Sequence, residues 1–254
     1  MNQLSAKATI ASMFSYIWHT FFFDPVYNGL VFFIDVIPGG DVGLAIIATV
    51  VVVKLVLLPL SIKAAKTQRI MREIEPKLRA IKEEHKSDRE AQAKAMMAIY
   101  KEAGMNPFAS LILIFIQIPI IISLYFSVYS GGGVALPEIN TDLLYSFVAA
   151  PVAVTMNFLG LIDITGKSLL LALLAGVTQY FQIKLAMPAL PPRDPKAPPD
   201  MKEDFMRNLQ LQMRYVMPVL IFIAAYVISA AIALYFFVSN LVGIAQELYV
   251  RKHR

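Results

Sequence analysis

Residues 46–60 read IIATVVVVKLVLLPL. One charge, Lys54, stands between eight uncharged residues on each side, Ile46 to Val53 and Leu55 to Ile62. The stretch has the apolarity of a transmembrane helix, which needs about 20 residues to cross a hydrocarbon core of about 30 Å. An ammonium at mid-depth costs about 2.5–3.5 kcal/mol on insertion, against about 0.3–0.6 kcal/mol returned by each Leu, Ile or Val. The segment therefore still inserts. A lysine stem reaches only about 6 Å, too short to carry the charge from mid-depth to the interface. The apolar spans hold no Asp or Glu, and Glu247 stands at the end of the last, so a buried ion pair does not account for Lys54. The pattern points to a hydrated cavity inside a helical bundle, with Lys54 facing it.

The rest of the chain agrees with a membrane setting. Of its 254 residues 57% are hydrophobic and 16% charged, where soluble domains carry about 25% charged residues; the mean hydropathy is +0.61. Apolar runs of helical span length recur, and the short alternating strands of a membrane barrel do not. The fold class is all-α polytopic membrane protein. The absence of cysteine excludes disulfides, thiol catalysis, Cys metal sites and an N-terminal lipidated Cys. Lys7 alone makes a thin start for a signal peptide, and no small-x-small cleavage site follows. His19, His85 and His253 lie outside the apolar core. With no H-E-x-x-H, paired intramembrane Asp, phosphate loop or metal-ligand cluster, no enzyme chemistry, cofactor or metal site is expected. A proton relay is disfavoured because the polar residues that could join Lys54 in the spans include no Asp, Glu or His.

Along the chain, 1–42 reads as an extracytoplasmic N-terminal segment. A short apolar stretch over 8–23 is closed by Asp24-Pro25, and an interfacial amphipathic helix over about 25–37 places Val26, Leu30, Phe33 and Ile37 on one stripe. The first core span covers 43–62. Residues 63–105 form a cytoplasmic helical hairpin. Residues 63–106 hold eleven Lys/Arg and seven Asp/Glu. Met71, Ile74, Leu78 and Ile81 make its apolar stripe, Ser87 and Glu90 a capping box, and Gly104 its stop. The second span is 106–129, with Asn106 as cap and Pro107 as first helical residue. A loop over 130–167, a third span over 168–187 and a Pro-rich loop over 188–212 follow. The last apolar block, 216–246, would be about 46 Å long as one helix. Basic residues favour the cytoplasmic side. The hairpin, the stretch 188–214 with five Lys/Arg and the C-terminal Arg251-Lys252-His253-Arg254 share that side only if the block crosses twice. This gives a fourth span over 213–229, a fifth over 230–248 and a cytoplasmic tail over 249–254, with the N-terminus outside. Polar residues that could line the cavity with Lys54 are Gln117 and Ser123 in the second span, Gln179 and Gln182 in the third, and Ser239 and Asn240 in the fifth; each alone is equally a helix–helix hydrogen bond.

The order of several blocks resembles a known family. Pro76-Lys77-Leu78, Ile99-Tyr100-Lys101, Asn106-Pro107, Gln117-Ile118-Pro119-Ile120 and the final LYFFVSN (Leu234 to Asn240) are similar to the blocks of YidC-type membrane protein insertases. These are bacterial relatives of the mitochondrial oxidase-assembly and thylakoid albino-type insertases. The resemblance covers about residues 25–250. It implies five core spans around a hydrophilic groove open to the cytoplasm and to lipid, in a multi-pass protein of the bacterial inner membrane. It puts Lys54 at the groove charge, with Gln117, Ser123, Gln179, Gln182, Tyr235, Ser239 and Asn240 around it. Acidic external segments of incoming chains would meet Lys54. Arg72, Lys77, Arg79, Lys82 and Lys101 of the hairpin would recruit substrates. Nascent integral membrane proteins are the implied partners, with membrane lipids, the Sec translocon and the ribosome beside them, and no direct nucleic-acid contact.

Two departures from the family matter. Lys replaces the usual Arg, so it acts as a point charge without a bidentate fork. Ser229-Ala230-Ala231 stands where Pro-Ser-Gly is common. The large extracytoplasmic domain and the long basic ribosome-docking tail of some members are not matched. A small-solute anion transporter and a non-catalytic assembly scaffold are the competing readings. The first is weakened by the missing internal repeat.

Overall fold

The computed structural model describes residues 12–106, 109–130, 133–187 and 207–252. The Pro107 helix start, residues 8–11, most of the Pro-rich loop and the last two residues of the tail lie outside them.

The chain does not stop at Asp24-Pro25 as the sequence suggested. Residues 12–36 are helical throughout, with a π-helical turn at His19–Phe23 ahead of α1 (Asp24–Val36). The Asp24 N–H reaches back five residues to the His19 carbonyl. A proline lacks this donor, and its ring presses on the carbonyl four residues earlier. Widening the preceding turn by one residue lets the helix continue past it. The same solution recurs at Gln212–Val216, before Pro218, where the Met217 N–H bonds the Gln212 carbonyl. Of the expected stripe, Val26 and Leu30 are buried and Phe33 and Ile37 half-buried, and the buried face widens to Tyr27, Val31 and Ile34 of α1 and Phe23 of the turn before it.

The span expected as one helix over 43–62 is two. α2 (Val42–Val56) ends at Leu57, and α3 (Leu58–Glu84) leaves at 60° to it. Pro59 lies in the first turn of α3, where its missing N–H is harmless; further into a continuous helix it would break the ladder. At 15 residues α2 is only about 22 Å long. Lys54 thus stands in the last turn of a short helix, not at the middle of a long one. α3 continues into the hairpin, so the second part of the bent span and the first hairpin arm are one helix. The second arm, α4 (Arg89–Glu102), is capped by Asp88 rather than Ser87: its Oδ1 accepts the N–H groups of Glu90 and Ala91, both at 3.0 Å. A carboxylate also answers the positive end of the helix dipole, which a serine hydroxyl does not. Ile74, Leu78 and Met105 form the hairpin's own small core.

The remaining helices are α5 (Ala109–Tyr129), α6 (Leu169–Ala186), α7 (Met217–Ile228) and α8 (Ala230–Lys252). Ser229, with φ −176° and ψ 165°, breaks α7 from α8, and its hydroxyl accepts the Ile232 N–H at 3.4 Å. The last apolar block is therefore two helices, as charge placement required. Among the described residues, Leu169–Ala186, Arg207–Ile228 and Ala230–Lys252 are long and apolar enough to cross a membrane, and the bent α2–α3 pair makes a fourth. The protein is an all-α membrane protein. α8 is the hub: α2, α3, α5, α6 and α7 all pack against it.

One end of the bundle is closed by the segment 133–167. This stretch, expected as plain loop, carries a 3-10 turn (Thr141–Leu143) and an antiparallel pair, β1 (Asn157–Phe158) with β2 (Ile162–Asp163). Four helices hold it. Buried Asn28 of α1 donates to the Leu143 carbonyl at 2.9 Å and accepts the Tyr145 N–H; the Tyr27 hydroxyl accepts the Asn140 N–H at 2.9 Å. Asp41, the cap of α2, accepts the N–H groups of Leu44 and Leu159 on its two oxygens. The Ile164 and Gly166 carbonyls take the first N–H groups of α8, from Ala231 and Ala230. The Tyr129 hydroxyl of α5 donates to Thr165 at 3.0 Å. Gly40 fits beneath this segment with φ +63°, and a Cβ there would lie 1.9 Å from the Ala153 carbonyl oxygen.

Asn28→Ala strands the Tyr145 N–H and the Leu143 carbonyl, and is expected to cost about 1–3 kcal/mol. Gly40→Ala adds both a backbone collision and a left-handed Cβ, so thermal unfolding in detergent should rank it below Asn28→Ala. Equal stability of Gly40→Ala and the parent would contradict the close approach.

Candidate functional site at Lys54

Three physical facts place the Lys54 side chain. It rides in the last turn of α2, where the unpaired carbonyls of the helix end favour a cation. α2 turns away at Leu57, so no further turn of that helix covers it. Opposite stands α5, and the Lys54 ammonium donates to Gln117 Oε1 at 3.1 Å. Among the described residues Lys54 forms no ion pair. It is half-buried and solvated by an amide.

Below this pair lies a groove of about 260 Å³. Lys54, Leu57, Ser61, Ala65 and Gln68 run along one wall, with Leu113 and Gln117 of α5 facing them. Gln182 and Ala186 of α6 and Gly243, Gln246 and Glu247 of α8 complete it. All these groups except the Lys54–Gln117 pair lie toward the hairpin end, opposite the segment that closes the bundle. Ser61 donates to Gln246 Oε1 at 2.8 Å across the groove. At its far end Glu247 meets Arg69 at 3.9 Å and Arg251 at 3.3 Å, and Arg69 also donates to the Val250 carbonyl at 3.4 Å. On the other side of Lys54 is a cavity of about 10 Å³, lined by Thr49, Gln117 and Tyr235 among apolar groups; this is the size of a single water.

The structure sorts the expected residues into three sets. Lys54, Gln117 and Gln182 share the groove, and Tyr235 borders the small cavity beside it. Ser123, Ser239 and Asn240 are buried in helix packing instead. Asn240 donates to the Ala175 carbonyl at 3.2 Å and to Thr178 Oγ1 at 3.3 Å, a helix–helix bond between α8 and α6. Gln179 is half-buried on α6 and lines neither cavity. On the hairpin, Lys77, Arg79 and Lys101 are exposed and Lys82 is half-buried; the Arg72 side chain lies outside the description. Arg79 pairs with Glu75 at 2.9 Å, a surface contact of small energetic weight.

Sequence reasoning missed Ser61, Gln68, Gln246 and Glu247. A signal was present: positions 54, 57, 61, 64, 65 and 68 follow helical spacing, and all but Leu57 are small or polar. It was hidden because residues beyond 62 were taken as a solvated hairpin. Gly243 is informative too, because a Cβ there would stand 2.3 Å from Gln182 Nε2. The glycine is what lets that amide reach the groove.

The profile of the family described as 60Kd inner membrane protein matches residues 32–254. The chain belongs to this family. Among its relatives, the membrane protein insertase YidC of Oceanobacillus iheyensis is 31% identical, over 93% of this chain and 84% of its own length. The protein of the same name from Alkalihalophilus pseudofirmus is 28% identical, over 92% of this chain and 81% of its own. That of Streptomyces avermitilis is 30% identical, over 95% of this chain and 59% of its own.

The cysteine-free chain permits a direct check of the sorting. Single cysteines at 61, 65, 68, 182 and 246 are expected to react with a water-soluble thiol reagent in membranes, and those at 123, 239 and 240 are not. Asn240→Ala should act on stability alone, by about 0.6–1.7 kcal/mol for a hydrogen bond between membrane helices.

Proposed function

We propose that the chain is a membrane protein insertase, as its relatives are named, with Lys54 as the charge that receives the incoming polypeptide. One observation carries the reading: a partly accessible ammonium, bound to an amide and not to a carboxylate, stands at the closed end of a polar groove. Such a cation is unneutralised. A client carboxylate within about 4 Å of it gains about 4 kcal/mol at an effective dielectric of about 20, several times the gain in water.

The groove supplies what a translocating segment needs. Its amides and hydroxyls solvate peptide groups that lipid cannot, which lowers the cost of moving polar backbone below the interface. Apolar client segments would leave sideways into lipid. Five spans, α2 with the start of α3, α5, α6, α7 and α8, are the arrangement proposed, with the N-terminus and segment 133–167 outside and the hairpin and tail in the cytoplasm. The support is the charge distribution along the chain and the position of the groove at the hairpin end. Lys77, Arg79, Lys82 and Lys101 with Arg72 would attract clients to the mouth, and nascent membrane proteins would arrive from the ribosome or beside the Sec translocon.

The test is insertion into liposomes containing only the purified protein. Lys54→Ala should lower insertion of clients with acidic external segments several-fold and spare those with neutral ones. Lys54→Arg should retain activity, since charge and reach are kept. Equal insertion of both client classes by Lys54→Ala would remove Lys54 from the mechanism.

A further inference from the structure

The turn between β1 and β2 uses residues that suit neither its backbone nor water. Phe158-Leu159-Gly160-Leu161 closes with the Leu161 N–H on the Phe158 carbonyl at 3.0 Å, and both central residues have positive φ, 52° at Leu159 and 71° at Gly160. Phe158 pairs with Ile162, so Leu159, Gly160 and Leu161 make a three-residue loop in which a left-handed backbone position favours Gly, Asn or Asp. Leucine at the first position is strained by its Cβ. Nor does the folded chain gain from its side chain, because Leu159 is 60% exposed and Leu161 85% exposed.

The turn is held at a defined height. Asp41, which caps α2, accepts the Leu159 N–H at 2.7 Å. Phe158 packs over Gly43 in the first turn of the same helix. A few residues on, the Ile164 and Gly166 carbonyls cap the start of α8, and α6 begins at Leu169. Three apolar helices thus start close to this turn. Leu169, Leu170, Leu173 and Val177 of α6 are exposed in the same way, as a lipid-facing side must be in a membrane helix.

We propose that Leu159 and Leu161 form a lipid anchor, inserted at the boundary between headgroups and acyl chains of the leaflet at this end of the bundle. Lipid is the occupant because the turn is tied to the start of α2 and is followed within eight residues by the carbonyls that cap α8 and by the start of α6, whose first turns also expose leucines, and because charged groups stand on the same short segment. Asp163 accepts the Thr165 hydroxyl at 2.7 Å and the Thr165 N–H at 2.9 Å, which hold its carboxyl below the usual carboxylate range and keep it ionised. Lys167 lies 5.8 Å from the centre of the Tyr226 ring, an aromatic–cation pair of the kind found at membrane interfaces. Apolar tips inside and charges at the surface fix the depth of the turn. The anchor keeps the closing segment seated on α1, α2 and α8. It goes beyond the proposed insertase activity and does not depend on it.

The experiment uses the full chain in phospholipid nanodiscs, spin-labelled at Leu161→Cys or, as a water-exposed reference on the same segment, at Asp142→Cys. The label at 161 is expected to collide more with oxygen and less with a water-soluble nickel chelate than the label at 142. Equal collision with the chelate at both positions would place the turn in water and overturn the anchor. Shielding of 161 from both reagents, with spin–spin broadening between labelled chains, would show a second copy there and also overturn it. Leu159→Asn suits the turn, so it should leave thermal unfolding unchanged or raised while making 161 more accessible to the chelate. No change at 161 in that variant would remove Leu159 from the anchor.

Discussion

A cation set among apolar helices has to be solvated by something, and among the described residues no carboxylate is paired with Lys54. What serves it is the carbonyl end of α2, a side-chain amide and a polar groove. The bend at Leu57 makes this possible. It ends α2 just past Lys54, so the helix terminus favours the charge and no further turn buries it. α3, turned by 60°, then lines the groove with Ser61, Ala65 and Gln68. Pro59, one residue past the start of α3, allows the break at no cost in hydrogen bonds.

The two ends of the bundle are built on opposite principles. At one end, segment 133–167 satisfies the helix starts: Asp41 caps α2, backbone carbonyls cap α8, and Asn28 with Tyr27 fastens the 3-10 turn to α1. Few donors or acceptors are left open there. At the other end polar side chains face a space that no element among the described residues fills, and the ion pair of Glu247 with Arg69 ties α3 to α8 only beyond it. A sealed end and an open end around one charge give the bundle a direction, which a passing polypeptide would experience as well.

Much of this was legible along the chain. Hydropathy and composition identified a helical membrane protein, and the uneven spread of Lys and Arg divided the last apolar block in two, although Ile228-Ser229-Ala230 carries no strong turn residue. Local chemistry also placed the hairpin turn and the Gly104 stop, with φ +62°. Prolines misled in both directions. Pro25 looked like a stop and is passed by a π-helical turn, whereas Pro59 sat inside an assumed span and marks its break. A proline removes one N–H in either case; whether the helix widens, breaks or continues depends on what its neighbours bury.

The sequence by itself determined the class of the protein, the lysine set deep in a long apolar run and the absence of a carboxylate in that run, because these follow from residue type and span length. Tertiary structure decided which polar residues keep that lysine company. Gln117 and Gln182 were expected at its side and share its groove, while Asn240, equally polar and equally placed within an apolar helix, spends its amide on α6. Helical spacing gives a residue its side of the helix. Which neighbour that side meets depends on crossing angles and on a bend, and those are set by the packing of the whole bundle around α8.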